Sequence, residues 1–269
     1  MSLIPKPVLP TEEEMKMVAT KWWEHHKGVN FHDWNDTMRN NSFDYRVCKL
    51  PSELIKRTIE LMDGKKFGFD QLIDDYDKII QPALSEMDCQ NGFFVKTISR
   101  SPKDALANKR NSNKPFPLFS TTEAINAILS SMRCFEDLCM LYYLDTAALI
   151  IRPYIRFDPE DEWRVFIENK NIVGISQYYY HAEFEKLDRK YVAINSIDKI
   201  KKLINDIVIP NTTIDSYIAD VVVGVNDDPT VVLELNPFGL SDPCLFKSYN
   251  KFDGCLWWNF DGEIMKCKI

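Results

Sequence analysis

Apolar residues at helical spacing dominate the first part of the chain. Thr11 followed by three glutamates is typical of a helix start, and the apolar positions continue until Gly28 ends the helix. A second helix is predicted to begin near Ser52 and to end before Gly64. We therefore expect residues 1–90 to form a largely helical N-terminal lobe.

After residue 90 the pattern changes to short runs of β-branched and aromatic residues. Two helices interrupt these runs, over residues 121–132 and 196–207, and Met132 falls on the apolar side of the first. Strands and helices that do not alternate regularly indicate an α+β protein with a mostly antiparallel sheet. The runs predicted to be strands cover residues 92–100, 148–155, 162–168 and 171–180.

Two further strand-like runs, residues 216–225 and 230–236, are separated by a short polar turn and predict a hairpin. In this hairpin Asp220 lies opposite Glu234 or Asn236, depending on the register. Either register places the three side chains on one face, about 5 Å apart across the strands. Two carboxylates and an amide oxygen this close suit Mg²⁺ that carries phosphates. Alternatively, each carboxylate pairs with a nearby lysine or arginine.

Residues 96–114 are strongly basic in a protein whose net charge is -7. Local contrast of this kind indicates an anion site. Lys96 lies inside an apolar strand, where it needs an anionic partner that a phosphate could supply. The alternative for residues 109–114 is a solvated basic loop. Asp104 is the one acidic residue of the segment, and its basic residues are Lys96, Arg100, Lys103, Lys109, Arg110 and Lys114.

Two arginines, Arg152 and Arg164, also lie inside predicted strands. A guanidinium group at such a position suits bidentate contacts with phosphate or carboxylate. The alternative is a structural ion pair with Glu162 or Glu234.

The composition is that of a soluble globular protein with reduced cysteines. No apolar run approaches twenty residues, so we expect no membrane span. The seven cysteines lack CxxC spacing, which favours free thiols and a cytoplasmic location. The phosphate-binding patterns GxxxxGK[ST] and GxGxxG are missing, so side chains on strands would have to hold any nucleotide.

Three segments, residues 94–105, 149–177 and 218–246, resemble the cell division cycle protein 123 family in their order and spacing. The resemblance covers about residues 90–247, and the first 90 residues match poorly. It implies an ATP-grasp-like, two-lobed fold whose body spans residues 91–269. The first lobe of that body would be residues 91–145, and the second would be residues 146–269.

The resemblance also implies a site for ATP and Mg²⁺. The side chains that would contact ATP are Lys96, Lys103, Arg152 and Arg164. The side chains that would hold Mg²⁺, and through it the nucleotide, are Asp220, Glu234 and Asn236. In an enzyme, the catalytic residues would be Lys96, Arg164 and Glu234.

Two functions from different classes follow from the resemblance. The first is an ATP-dependent ligase that joins a 5′-phosphate to a 3′-hydroxyl of RNA, with the basic loop 96–114 beside the RNA backbone. The second is an ATP-dependent assembly chaperone for translation initiation factor 2, which would bind the γ subunit of that factor. The sequence favours the ligase slightly.

Overall fold

The computed structural model describes residues 10–64, 68–105, 117–182, 189–224, 229–260 and 262–269. Residues 106–114 of the predicted basic segment lie outside the described residues. The same holds for residues 226–228 of the predicted hairpin turn.

The described strands form two sheets, one of three strands and one of six. The three-stranded sheet has the order β1-β3-β2 and is antiparallel. The six-stranded sheet has the order β7-β6-β4-β5-β8-β9 and is antiparallel except between β5 and β8. The strands are β1 (Arg46–Lys49), β2 (Phe93–Thr97), β3 (Ala148–Pro153), β4 (Glu162–Glu168), β5 (Asn171–Gln177), β6 (Tyr217–Val222), β7 (Val231–Pro237), β8 (Cys255–Phe260) and β9 (Glu263–Lys268).

Helices pack around the two sheets, and the α+β prediction is confirmed. Thr11 caps the first helix in a capping box with Glu14, as its sequence predicts. No described helix is long and apolar enough to cross a membrane. The helices are α1 (Glu12–His26), α2 (Asp36–Asn40), α3 (Ser52–Met62), α4 (Phe69–Ser85), α5 (Thr121–Leu129), α6 (Met132–Leu144) and α7 (Arg189–Leu203).

Two predicted helices need correction, and one strand was missed. The helix predicted over residues 121–132 ends at Leu129, and Met132 is a largely exposed residue that begins α6. Ser131 separates the two helices because its side chain accepts a hydrogen bond from the Cys134 amide and so caps α6. The helix predicted over residues 196–207 starts earlier, and a π-helical turn, Ile204–Val208, continues it. Strand β1 was not predicted, and it pairs with β3.

Strand β6 lies inside the six-stranded sheet, and each of its residues is buried. A strand covered on both faces reads as an apolar run, and Tyr217–Val222 fits that pattern except at Asp220. A carboxylate in such a position must be paired, because an isolated buried charge costs far more than one strand residue contributes. The larger sheet therefore contains a buried carboxylate that needs a cationic partner.

Gly174 on β5 allows the chain after β7 to pack against this sheet. A Cβ atom at this position would lie 2.7 Å from Cζ of Phe246 and 3.2 Å from Cδ1 of Phe252. Phe246 is almost fully buried and contacts Phe166 of β4 edge to face. The absent side chain at residue 174 therefore lets the segment that follows β7 lie directly on β4 and β5.

We expect Gly174→Ala to lower the free energy of unfolding by about 2 kcal/mol, because the added methyl group overpacks the contact with Phe246. Chemical denaturation measures this change. Gly68→Ala is the matched control, since among the described residues a Cβ atom there would meet only the Gln71 Cβ, at 3.8 Å. Equal stabilities of the two variants would contradict the packing described for Phe246.

Candidate functional site

A cavity of about 570 Å³ is lined by residues of both sheets. Phe94 and Arg152 come from the three-stranded sheet, whereas Glu162 and Glu234 come from the six-stranded sheet. Its size is within the range of small-molecule sites. Three of the seven predicted site residues line it directly, namely Lys103, Arg152 and Glu234.

The hairpin of β6 and β7 has one of the two registers that the sequence allows. Asp220 pairs with Glu234, and Asn236 pairs with Ile218. The register shifts after Asp220, which leaves Leu233 as an extra residue on β7. Leu233 lines the cavity beside Glu234, so the irregularity lies at the site itself.

Lys96 and Glu234 form an ion pair between the two sheets. The Lys96 ammonium lies 2.7 Å from Oε2 of Glu234, and the two side chains are only 5% and 15% exposed. Burial alone would raise the pKa of Glu234, but the charges of Lys96 and Lys103 outweigh it and hold that pKa well below its usual range. The Lys96 ammonium also lies 5.2 Å from the centre of the Phe31 ring. The inward-facing lysine thus has the anionic partner that its position requires.

Arg164 and Asp220 form a second buried pair within the six-stranded sheet. Arg164 donates from Nε and Nη2 to the two carboxylate oxygens of Asp220, at 2.7 and 2.8 Å. Its Nη1 donates to the Asp242 carbonyl at 3.0 Å, and the Asn236 amide donates to Asp220 at 3.0 Å. The partner of Arg164 is therefore Asp220, not Glu162 or Glu234 as the sequence suggested. Both carboxylates of the predicted metal site are ion-paired.

The remaining two predicted cations have no acidic partner of this kind. In the part of the chain that the structure describes, no carboxylate lies within 4 Å of the charged groups of Arg152 or Lys103. Arg152 packs its guanidinium 4.8 Å from the centre of the Phe94 ring. Lys103 donates to the Tyr178 hydroxyl and lies 4.9 Å from the centre of that ring. Two cations at the cavity are thus available to an anionic ligand.

Glu162 is a site residue that the sequence analysis considered only as an arginine partner. It is 3% exposed and lines the cavity, and among the described residues its carboxyl group makes no hydrogen bond. Burial raises the pKa of Glu162 to about 8, Lys103 opposes this increase, and Asp220 and Glu234 add to it. The available signal was its position two residues before Arg164, which places both side chains on one face of β4.

The N-terminal segment also contributes to the site, which no sequence signal predicted. Ser42 forms a parallel bridge with Val232 of β7, and its hydroxyl donates to the Val232 carbonyl at 2.7 Å. This contact brings Phe43 to the cavity wall, where its ring stacks on Phe157 at 6.1 Å. One side chain of the cavity lining, that of Phe43, thus comes from a part of the chain that the family resemblance does not cover.

Helix α6 holds the loop that connects Lys96 to Lys103. The buried carboxylate of Asp137 accepts hydrogen bonds from the Thr97 and Ser99 hydroxyl groups at the start of this loop. At its end, Asp104 accepts from the Ser131 hydroxyl at 2.5 Å and from the Arg133 amide at 3.2 Å. The loop is therefore fixed at both ends to one helix, although it has no regular structure.

The donor set fits Mg²⁺ and a polyphosphate, with one condition. Oxygen atoms of Asp220, Glu234 and Asn236 face the same side of the hairpin, and Mg²⁺ prefers such oxygen ligands. The unpaired cations Arg152 and Lys103 suit phosphate oxygens. The condition is that a metal must compete with the present partners of both carboxylates, which are Lys96 at Glu234 and Arg164 with Asn236 at Asp220. Among the described residues there is no cluster of three or more histidine, cysteine, aspartate or glutamate side chains that could hold a metal alone.

Comparison with known proteins gives a family match and several relatives. A family model described as D123 matches residues 66–255. A putative CDC123-like protein, L884, of Acanthamoeba polyphaga mimivirus is 28% identical over 77% of this chain and 64% of its own length. A translation initiation factor eIF2 assembly protein of Candida albicans is 35% identical over 36% of this chain and 28% of its own length. The chain thus spans less than two thirds of these curated relatives.

One solved structure shares the fold over most of both chains. The structure of Cdc123 from Schizosaccharomyces pombe superposes with a TM-score of 0.60 and covers 84% of this chain and 90% of that chain. The sequence identity of 17% makes this a likeness of fold alone. It confirms the fold that the family resemblance implies.

We expect the stability of the protein to fall between pH 5 and pH 8 because of Glu162. A carboxyl group whose pKa is raised to about 8 on folding keeps its proton in the folded state after the unfolded chain has lost it. Its contribution is therefore complete at low pH and disappears as the pH rises towards 8. Glu162→Gln should raise the free energy of unfolding at pH 8 by about 1–3 kcal/mol relative to the unchanged protein, and by less at pH 5.

Denaturation curves at the two pH values measure this difference. Glu168→Gln, at the exposed end of the same strand, is the matched control and should be neutral at both. If Glu162→Gln lowers stability equally at pH 5 and pH 8, Glu162 is not a buried protonated acid.

Proposed function

The chain belongs to the D123 family, the cell division cycle protein 123 family of its sequence resemblance, and from this premise we propose that it binds Mg-ATP and assists the assembly of translation initiation factor 2. The nucleotide part rests on the grouping of the predicted residues at and beside one cavity. All seven predicted residues fall within the matched range 66–255. Lys103, Arg152 and Glu234 line one cavity, and Lys96 pairs with Glu234. Arg164 and Asn236 contact Asp220, which lies opposite Glu234 on the neighbouring strand.

The residues divide between the two ends of a nucleotide. Phe43, Phe157 and Leu233 form an apolar region of the cavity that suits a base. Arg152 and Lys103 would bind phosphate oxygens, and the Asp137 contacts would hold the Lys103 loop in position. Bound Mg²⁺ would supply positive charge that neutralises the phosphates, held by Asp220, Glu234 and Asn236.

The assembly part of the proposal comes from the relatives. Proteins of Candida albicans and Kluyveromyces lactis that match this chain at 35% and 30% identity are named translation initiation factor eIF2 assembly proteins. Nothing in these relatives supports RNA ligation, so the second interpretation of the sequence replaces the first. The expected partner is the γ subunit of the factor, and a cytoplasmic location would follow from that role.

We expect Glu234→Ala to remove the magnesium-dependent part of ATP binding, because Glu234 is the one predicted metal ligand that lines the cavity. Thermal unfolding of the unchanged protein should shift upward with ATP, and more strongly with ATP and Mg²⁺ than with ATP and EDTA. In the variant the two midpoints should coincide. Glu168→Gln is the control, and it should retain the full magnesium effect.

A magnesium effect of unchanged size in Glu234→Ala would refute the metal assignment. If the unchanged protein shows no shift with ATP under either condition, the nucleotide part of the proposal is wrong.

We expect the protein to bind the purified γ subunit of eIF2 from Candida albicans in a manner that depends on Mg-ATP. Capture on immobilised γ subunit, with ATP and Mg²⁺ or with EDTA, measures this dependence. Glu234→Ala should reduce capture about tenfold, and Glu168→Gln should not. If the γ subunit is not captured, and label from α-labelled ATP is instead transferred to 5′-phosphorylated RNA, the protein is a ligase and not an assembly factor.

A further inference from the structure

Two of the four cations predicted to contact ATP pair with the two carboxylates predicted to hold Mg²⁺. Lys96 pairs with Glu234, and Arg164 pairs with Asp220. We propose that Lys96 is an exchangeable counter-ion of Glu234, which couples the entry of nucleotide to the entry of Mg²⁺. The inference rests on the proposed nucleotide function, and it adds that nucleotide and Mg²⁺ bind together and not one at a time.

The geometry makes Lys96–Glu234 the exchangeable pair. Among the described residues, Lys96 donates one hydrogen bond, at 2.7 Å to Oε2 of Glu234, and Oε1 of Glu234 accepts none. Arg164 in contrast engages both oxygens of Asp220 and donates a third bond to the Asp242 carbonyl. A single ammonium contact can be replaced by a metal or a phosphate, whereas a bidentate fork with a third anchor keeps its partner.

Because the pair is buried, neither Lys96 nor Glu234 can lose its partner unless both gain a new one. The Lys96 side chain is 5% exposed and lies over the Phe31 ring, so water does not replace a lost partner. If a metal alone displaced Lys96 from Glu234, it would leave a buried ammonium unpaired next to a second cation. If a phosphate alone took Lys96, it would leave a carboxylate unpaired next to an anion. Each event is unfavourable because removing one partner of a buried pair strands the other charge.

Simultaneous entry removes both penalties. A phosphate would pair with Lys96 and Mg²⁺ would pair with Glu234. Each buried charge would then exchange one partner for another. The site therefore binds the neutralised pair of metal and polyphosphate in preference to either component. Such preference is a coupling between two ligands, and by linkage it acts equally in both directions.

Glu234→Gln gives the decisive test, because the exchange predicts a gain of binding. Calorimetry measures the Kd of ATP in excess EDTA and the Kd of Mg-ATP. With Lys96 released from its counter-ion, metal-free ATP should bind about tenfold more tightly to the variant than to the unchanged protein, while Mg-ATP should bind about tenfold more weakly. If Glu234 acts only as a metal ligand, the variant will bind Mg-ATP more weakly and metal-free ATP with unchanged affinity. That result would overturn the proposal.

A second variant tests the reverse direction without nucleotide. Lys96→Met frees Glu234, so free Mn²⁺, followed by its electron paramagnetic resonance signal, should bind about tenfold more tightly than to the unchanged protein. Unchanged Mn²⁺ affinity would overturn the exchange. Glu168→Gln, at the exposed end of β4, is the control, and it should change neither the Mn²⁺ affinity nor the affinity for metal-free ATP.

The outcomes distinguish a failure of the proposed nucleotide binding from a failure of the exchange alone. Thermal midpoints show whether each variant is folded. The double variant Lys96→Met/Glu234→Gln replaces the charged pair by an uncharged pair of similar volume, which preserves packing. If the unchanged protein binds neither form of ATP, the proposed function fails and the exchange fails with it. If it binds Mg-ATP and Glu234→Gln does not tighten metal-free ATP, only the exchange is wrong.

Discussion

The requirement that buried charges be paired governs the arrangement of the two sheets. Lys96 belongs to the three-stranded sheet and Glu234 to the six-stranded sheet, so their contact sets the distance between the sheets beside the cavity. Within the larger sheet, Arg164, Asp220 and Glu234 occupy directly paired positions on three adjacent strands. One continuous row of charges, two carboxylates between two cations, thus ends at the interface between the sheets. A change at either end alters the electrostatic balance of the whole row.

The irregular parts of the site are held by contacts that regular structure cannot provide. The loop between β2 and residue 105 depends on side-chain acceptors of α6, above all the buried Asp137. Gly239 has φ near +83°, which lets the chain turn sharply where β7 ends. Tyr249 then donates to the Ser241 carbonyl at 2.7 Å and fixes the segment that supplies the Asp242 contact to Arg164. The cavity is therefore bordered by loops that are anchored at defined positions.

The sequence predicted the hairpin of β6 and β7 well because its polar residues break an otherwise apolar alternation. Periodicity alone left two registers open for Asp220, and in the folded protein Asp220 lies opposite Glu234. Lys96 was predicted to need an anionic partner, but the sequence could not identify Glu234, which lies 138 residues away. Phe43 and β1 were missed because short strands and single aromatic residues carry no period. Their positions depend on contacts with distant strands, which only the assembled fold defines.

The bridge between Ser42 and Val232 has a consequence for the order of folding. Its partners are 190 residues apart, and Lys96 and Glu234 are 138 apart, so the cavity is closed by contacts of very long sequence separation. Closing such loops is costly in entropy and is a late event. During synthesis, the β7 residues that complete the cavity leave the ribosome long after the N-terminal segment has begun to fold. Ligand capture by the nascent chain would therefore report that nearly the whole polypeptide has reached its native topology.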